Sequence, residues 1–188
     1  MSDPDHSLKG RLLIAMPTIG DKRFARTVIF MCAHSPEKGA MGLVVNKPVD
    51  GIEFHSLFAQ LNIDEVSIDE LAIHYGGPVE PSRGFVLHSP DYDDGDVASV
   101  TDDVSLTATL DILRDIAAGR GPERRILALG YSGWAPGQLE NEIKENGWLV
   151  AEADDALVFG DDLDAKWSQA LAKIGVDSSN FSGQSGRA

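Results

Sequence analysis

Short apolar runs separated by Gly, Pro and Asp dominate the first half of the chain, and longer runs with helical spacing appear only later. Seven runs are short, rich in β-branched or aromatic residues and bounded by turn formers, which predicts strands. They are Arg11–Met16, Thr27–Ala33, Ala40–Asn46, Leu71–Tyr75, Gly84–His88, Arg125–Leu129 and Trp148–Ala153. Thr27–Ala33 with Ala40–Asn46, and Leu71–Tyr75 with Gly84–His88, are separated by loops too short for a helical crossover. Both pairs are expected as hairpins, so at least part of the sheet is antiparallel. A 3.6-residue period marks Leu106–Ala118, where Leu106, Leu110, Leu113 and Ala117 share a face with Ile112 and Ile116 beside it. It also marks Asp162–Ile174, where Leu163, Trp167, Ala170, Leu171 and Ile174 align, an aspartate can cap and Gly175 terminates. Shorter helices are expected over Glu53–Leu61 and just after Gly137, the latter with Leu139 and Ile143 facing inward. Strands cluster before helices intrude, which fits α+β better than a regular βαβ alternation.

Composition bounds this picture. The chain has 188 residues and 43% hydrophobic content. That is the length of one domain with a core large enough to need neither disulfide nor metal. The expected unit is a single domain over 1–188, with mobile ends at 1–7 and 178–188. The lone cysteine, Cys32, sits in the apolar run 27–33 and reads as a buried small hydrophobe. No basic-then-apolar leader opens the sequence, and no apolar run approaches the roughly 18 residues of a membrane span. The expectation is a soluble, cytoplasmic protein with no membrane contact.

The net charge of −14 argues against nucleic-acid binding, which uses clustered Lys and Arg on phosphates. The charge is uneven. Residues 1–50 carry seven Lys/Arg against five Asp/Glu, and residues 51–100 carry one against ten. A cationic surface can therefore survive on the N-terminal quarter.

The candidate chemistry is sparse. Ser132 follows an apolar strand and a glycine, but Gly130-Tyr131-Ser132-Gly133-Trp134 puts Trp where a nucleophile elbow needs its last Gly. A hydroxyl that holds the turn together is the plainer reading. Asp91 to Asp96 resembles a calcium loop only faintly, because Gly95 stands fifth where that loop needs Gly sixth. The histidines show no metal-ligand spacing; His34 and His88 end predicted strands, where hydrogen bonds at the strand end are the default. No pattern calls for a cofactor. Trp134 and Trp148 bracket the helix after Gly137 and are expected to pack beneath it. The remaining group is Arg26, Asn46, Lys47, Gly76, Gly77 and Arg83, which lie at strand ends. Gly76-Gly77 can turn two N–H groups toward a common point, a nest suited to an anion. If the turns gather, they form a small cationic pocket for a carboxylate or phosphate. The alternative is glycines that serve turns and cations that pair locally.

Several blocks taken together resemble the YqgE/AlgH family of bacterial proteins. They are Gly10 to Pro17, Phe24 to Val28, Gly39-Ala-Met-Gly-Leu-Val-Val-Asn-Lys-Pro48, Gly76-Gly-Pro-Val79, Arg83 to His88 and the run from Gly130 to Trp148. The resemblance implies a compact domain with a branched, partly barrel-like sheet and packed helices. Some members carry the label of transcriptional regulator, but no helix-turn-helix with a basic second helix is visible here. The resemblance supplies no catalytic residues. The leading functional reading is a non-enzymatic binding or regulatory protein that contacts a small anion or a protein partner. The alternatives are a hydrolase or transferase using the 130–138 turn, and a DNA-binding regulator, which the charge disfavours.

Overall fold

The computed structural model describes residues 7–182. Its strands are β1 (Arg11–Ala15), β2 (Val28–Ser35), β3 (Gly39–Val44), β4 (Ile73–Tyr75), β5 (Val79–His88), β6 (Val97–Ser99), β7 (Ser105–Thr107), β8 (Arg125–Trp134) and β9 (Trp148–Glu152). The helices are α1 (Phe54–Gln60), α2 (Leu110–Ala117), α3 (Gln138–Lys144), α4 (Asp155–Phe159), α5 (Leu163–Lys173) and α6 (Ser179–Ser182). Two 3-10 turns, Pro17–Ile19 and Lys22–Phe24, join β1 to β2.

One sheet runs in the order β6-β7-β5-β8-β3-β2-β1-β9, with β4 attached to β8 off this path. Every strand pairing is antiparallel except β4 with β8. The ten-residue β8 is where the sheet branches. One edge of β8 pairs with β5 from Arg125 to Leu129. The other edge takes β4 at Leu127–Leu129 and then β3 at Ser132–Trp134. β4 is thus wedged between β8 and the chain leaving β3. Tyr75 N–H donates to the Lys47 carbonyl, Val49 N–H to Ile73, and Val44 N–H to Gly76.

Glycines make the fork possible. A Cβ on Gly76 would lie 2.3 Å from the Gly130 carbonyl oxygen, and one on Gly130 would lie 2.3 Å from the Gly77 oxygen. Both distances are far inside van der Waals contact, so only glycine lets these backbones meet.

Successive residues of β1 and β2 point to opposite faces, and both faces are covered. Leu12, Ile14, Val28 and Phe30 join a core with Leu43, Phe85, Leu87, Trp167 and Leu171. Leu13, Ala15, Ile29 and Met31 join Trp134, Leu139 and Trp148 under α3. A further core packs α1 and α2 on the sheet through Phe58, Ile112, Ile116 and Leu127. Burial on both faces explains why these strands read as continuous apolar runs instead of alternating ones. Each fully buried Leu, Ile or Phe contributes about 1.5–3 kcal/mol.

The structure bears out the α+β class and the β2–β3 hairpin, and it corrects several expectations. β4 and β5 do not form a hairpin; they take opposite edges of β8. The chain from Ser105 to Thr107 is strand β7, so α2 starts only at Leu110, which is exposed, and the buried face is Ile112, Leu113, Ile116 and Ala117. The run 130–134 is not a turn but the second half of β8. Of the ends expected to be mobile, 1–7 and 178–188, residues 1–6 and 183–188 lie outside the described residues. Within the expected C-terminal tail, Ser179–Ser182 is helical and Phe181 packs on Trp167.

Candidate ligand-binding cavity beside Arg26

The six polar-site residues lie along a row across the sheet, not around one pocket. Arg26 precedes β2, Asn46 and Lys47 follow β3, Gly76 and Gly77 follow β4, and Arg83 sits within β5. The segment after β3, then β4, then β8 separate Arg26 from Arg83. Arg83 faces Glu80 at 3.5 Å and lies over the Phe85 ring. Gly76 N–H is spent on the Leu129 carbonyl, and Gly77 abuts the backbone of Tyr131. These glycines therefore serve the close approach of backbones at the sheet fork, not an anion nest.

Arg26 and Asn46 are joined directly. Asn46 is buried; its Nδ2 donates to the Arg26 carbonyl at 2.8 Å, and its Oδ1 accepts from Val28 N–H at 2.8 Å. Between these two anchors Arg26 adopts a left-handed backbone, φ 55°. For a residue with a side chain this costs about 1 kcal/mol, and it persists only where its surroundings enforce it. The enforced backbone places the Arg26 guanidinium 4.9 Å from the centre of the Trp167 ring. Trp167, on α5, is itself fixed by Nε1 donating to the Ala15 carbonyl at 2.8 Å and by an edge contact with Phe181.

Arg26, Trp167 and Phe181 line a cavity of about 380 Å³ together with Met16, just after β1, and with Ile19 and Lys22 from the 3-10 turns. That volume falls in the range of small-molecule sites. None of the other five row residues lines it. Asp21 lies on its rim, but the Arg23 guanidinium binds that carboxylate at 2.8 Å and holds it below the ordinary carboxylate range. Among the described residues neither Lys22 nor Arg26 has an ion-pair partner. The cavity thus combines apolar walls with two uncompensated cations at its mouth. Lys22, Trp167 and Phe181 were not singled out as site residues in the sequence. Trp167 matches the apolar stripe of α5, a pattern that reports burial and not the ring face it offers.

The other candidates resolve into structural roles. Ser132 is buried within β8, and its Oγ donates to the Gly76 carbonyl at 3.2 Å, across the fork. His34 accepts from Leu8 N–H at Nδ1 and donates through Nε2 to Glu140 at 2.6 Å. Burial would raise the Glu140 pKa, but the His34 hydrogen bond, with smaller backbone and charge contributions, brings it below the ordinary value. His88 bonds the Ser89 carbonyl and Thr107. Cys32 is buried, and desolvation pushes its thiol up to about 12, far from a reactive thiolate. Among the described residues no group of three His, Cys, Asp or Glu is placed to hold a metal, and no helix is long and apolar enough to cross a membrane. Trp134 and Trp148 do pack under α3, and both indole N–H groups donate to the same Glu142 oxygen, at 2.7 and 2.9 Å.

A branched, largely antiparallel sheet covered on both faces by helices, with a cavity between its first connection and α5, defines the class as a single α+β domain. The chain belongs to the AlgH-like family, whose model matches residues 12–179. A UPF0301 protein of Afipia carboxidovorans is 55% identical, with 96% of this chain and 90% of that protein covered. A UPF0301 protein of Bradyrhizobium diazoefficiens is 54% identical, covering 96% and 88%. The solution structure of AlgH from Pseudomonas aeruginosa matches with a TM-score of 0.80 at 38% identity, over 100% of this chain and 99% of that one. Protein DIP2367 of Corynebacterium diphtheriae shares the fold, with a TM-score of 0.66 at 21% identity over 91% and 88% of the two chains.

Proposed function

We propose that this chain is a non-enzymatic binding protein whose ligand is a small anion with an apolar body, held in the cavity beside Arg26. The observation that carries the reading is the left-handed Arg26, clamped by Asn46 and laid over Trp167 without an ion-pair partner. Strain of this kind concentrates where a side chain must be aimed. The apolar body would displace water from Met16, Ile19 and Phe181, while the carboxylate or phosphate would meet the Arg26 fork and Lys22. The acidic remainder of the protein would select against polyanions and favour a ligand with a single charged end.

The test compares aliphatic and aromatic carboxylates with their neutral amides by thermal shift. A ligand at 100 times its dissociation constant adds about 2.7 kcal/mol, a rise of roughly 5–10 °C for this length. Arg26→Asn tolerates the left-handed backbone while removing the cation. The acids are expected to stabilise the protein, the amides to do so much less, and Arg26→Asn and Lys22→Gln to abolish the difference. Equal responses to acid and amide, or an undiminished response in Arg26→Asn, would sink the reading.

A further inference from the structure

A second cavity, of about 560 Å³, opens over β4 and the start of β8, and is lined by His74, Arg124, Arg125, Phe159, Asp161 and Leu163 among others. We propose that it binds a small oxyanion, whose oxygens are held by His74 and Lys166 at the inner end and by Arg125 at the mouth. The proposal is independent of the Arg26 cavity and shares no lining residue with it.

Lys166 stands on α5 one turn beyond the lining residue Leu163 and is only 1% exposed. Its Nζ donates to the Val45 and Val158 carbonyls, both at 2.9 Å. An ammonium has three N–H groups, so one is left over. No carboxylate lies within ion-pair distance of Nζ among the described residues. A buried charge without a counter-ion costs several kcal/mol and is ordinarily matched. Desolvation pulls its pKa down to about 8, against the weaker pull of Asp161.

His74 is 4% exposed, and its Nδ1 is the one buried side-chain nitrogen or oxygen among the described residues without a hydrogen-bond partner. Such an atom is costly to leave unpaired, and buried polar groups are ordinarily hydrogen-bonded. The two deficits lie on adjacent segments. Of the two carbonyls that accept from Lys166 Nζ, Val45 lies shortly before Pro48, which bridges to His74, and Val158 precedes the lining residue Phe159. Burial, with the Lys166 charge adding to it, lowers the His74 pKa to about 4. A single oxyanion meets both. It accepts from the spare Lys166 N–H and from Nδ1–H of a neutral His74, and it supplies the missing negative charge.

The mouth adds a further donor. Arg125 donates to the Pro122 carbonyl at 3.0 Å and has no ion pair among the described residues, which leaves most of its fork free. Arg124 is committed to Asp155 and lies over Phe159. The wall carboxylates Glu70, Glu123 and Asp161 limit the charge that can enter, which favours one phosphate or carboxylate group over a polyphosphate.

The experiment titrates the full chain with inorganic phosphate and, separately, with acetate, against sodium chloride of matched ionic strength. It follows the His74 ring nitrogens by NMR and the melting temperature. The expected result is a saturable shift of His74 Nδ1 and a rise of about 3 °C at ten times the dissociation constant. Lys166→Met conserves volume and removes the charge, and is expected to abolish both responses. Arg125→Gln is expected to weaken binding at least tenfold, and Arg26→Asn to leave it unchanged. Saturation by phosphate alone assigns a phosphoryl ligand, and by acetate as well assigns oxyanions in general. Silence of His74 toward both ions in the unaltered protein overturns the proposal, as does a full response in folded Lys166→Met.

Discussion

Asn46 holds Arg26 in its left-handed conformation from the segment that follows β3, donating to the Arg26 carbonyl and accepting from Val28 N–H, each at 2.8 Å. The carboxamide is suited to this because it carries a donor and an acceptor on one rigid plane. Asn46→Ala would strand a buried N–H and a carbonyl together, and is expected to cost about 2–4 kcal/mol in urea denaturation. Asn46→Asp keeps the acceptor but sets a carboxylate against the Arg26 carbonyl, and should cost at least as much. A loss below about 1 kcal/mol for the alanine variant would show that the clamp does not fix this turn.

The fork of the sheet predicts an unusually sharp glycine requirement. Gly76→Ala would force a Cβ to 2.3 Å from the Gly130 oxygen, an atom of backbone that cannot rotate away. The expected loss is at least about 3 kcal/mol, at the top of the range for overpacking. Gly51 supplies the contrast. It has a positive φ, 79°, which Gly76 lacks, and a Cβ there would meet nothing within 4 Å. Gly51→Ala should therefore cost only the conformational term of about 1 kcal/mol. Equal losses for the two variants, by thermal or chemical unfolding, would deny the fork its steric origin.

The two tryptophans that bracket α3 depend on one carboxylate. Glu142→Ala leaves both indole N–H groups, of Trp134 and Trp148, without their acceptor. The expected loss is about 2–4 kcal/mol, with both indole N–H resonances displaced. Glu142→Gln keeps an oxygen with two lone pairs and loses only the charge assistance, so it should cost about half as much. Indole resonances unmoved in Glu142→Ala would show that the contact is incidental.

The strands were legible where burial on both faces made the sequence continuously apolar, as in Leu12–Ala15 and Val28–Met31. β6 and β7 escaped notice because each has three residues, too few to show a period. The expected β4–β5 hairpin failed for a physical reason: β8, arriving some forty residues later, inserts between the two strands and pairs with β4 on one edge and β5 on the other. At the candidate site, Arg26 and Asn46 were both legible as polar residues at strand ends, and the β2–β3 hairpin brings them together. Trp167 was not legible as a site residue, because its contact with Arg26 spans 141 positions and rests on how α5 docks. Lys166 lies on the same face as the half-buried Leu163 and the buried Ala170, but a lysine in a helical pattern reads as solvent-facing.

His74 predicts a pH dependence whose sign is set by its depressed pKa. Burial first, and then the Lys166 charge, bring it to about 4 from an ordinary 6.5, so the folded protein keeps the imidazole neutral where the unfolded chain protonates it. Between those values the unfolded state binds more protons, and stability therefore falls as pH drops from 6.5 to 4. The full shift corresponds to about 3 kcal/mol at its limit. His88, whose pKa is also lowered by burial, adds a loss of the same sign. Asp21, Asp91 and Asp154, held below their ordinary values, add theirs as the pH approaches and passes below 4. The His74 share is isolated by difference. His74→Phe removes the titration and gives up no hydrogen bond at Nδ1, which has none. In phosphate-free buffer, the stability gap between the unaltered protein and His74→Phe should move by about 2–3 kcal/mol in favour of the variant between pH 6.5 and 4. Parallel curves across that window would mean that His74 is protonated in the folded protein at its ordinary pKa.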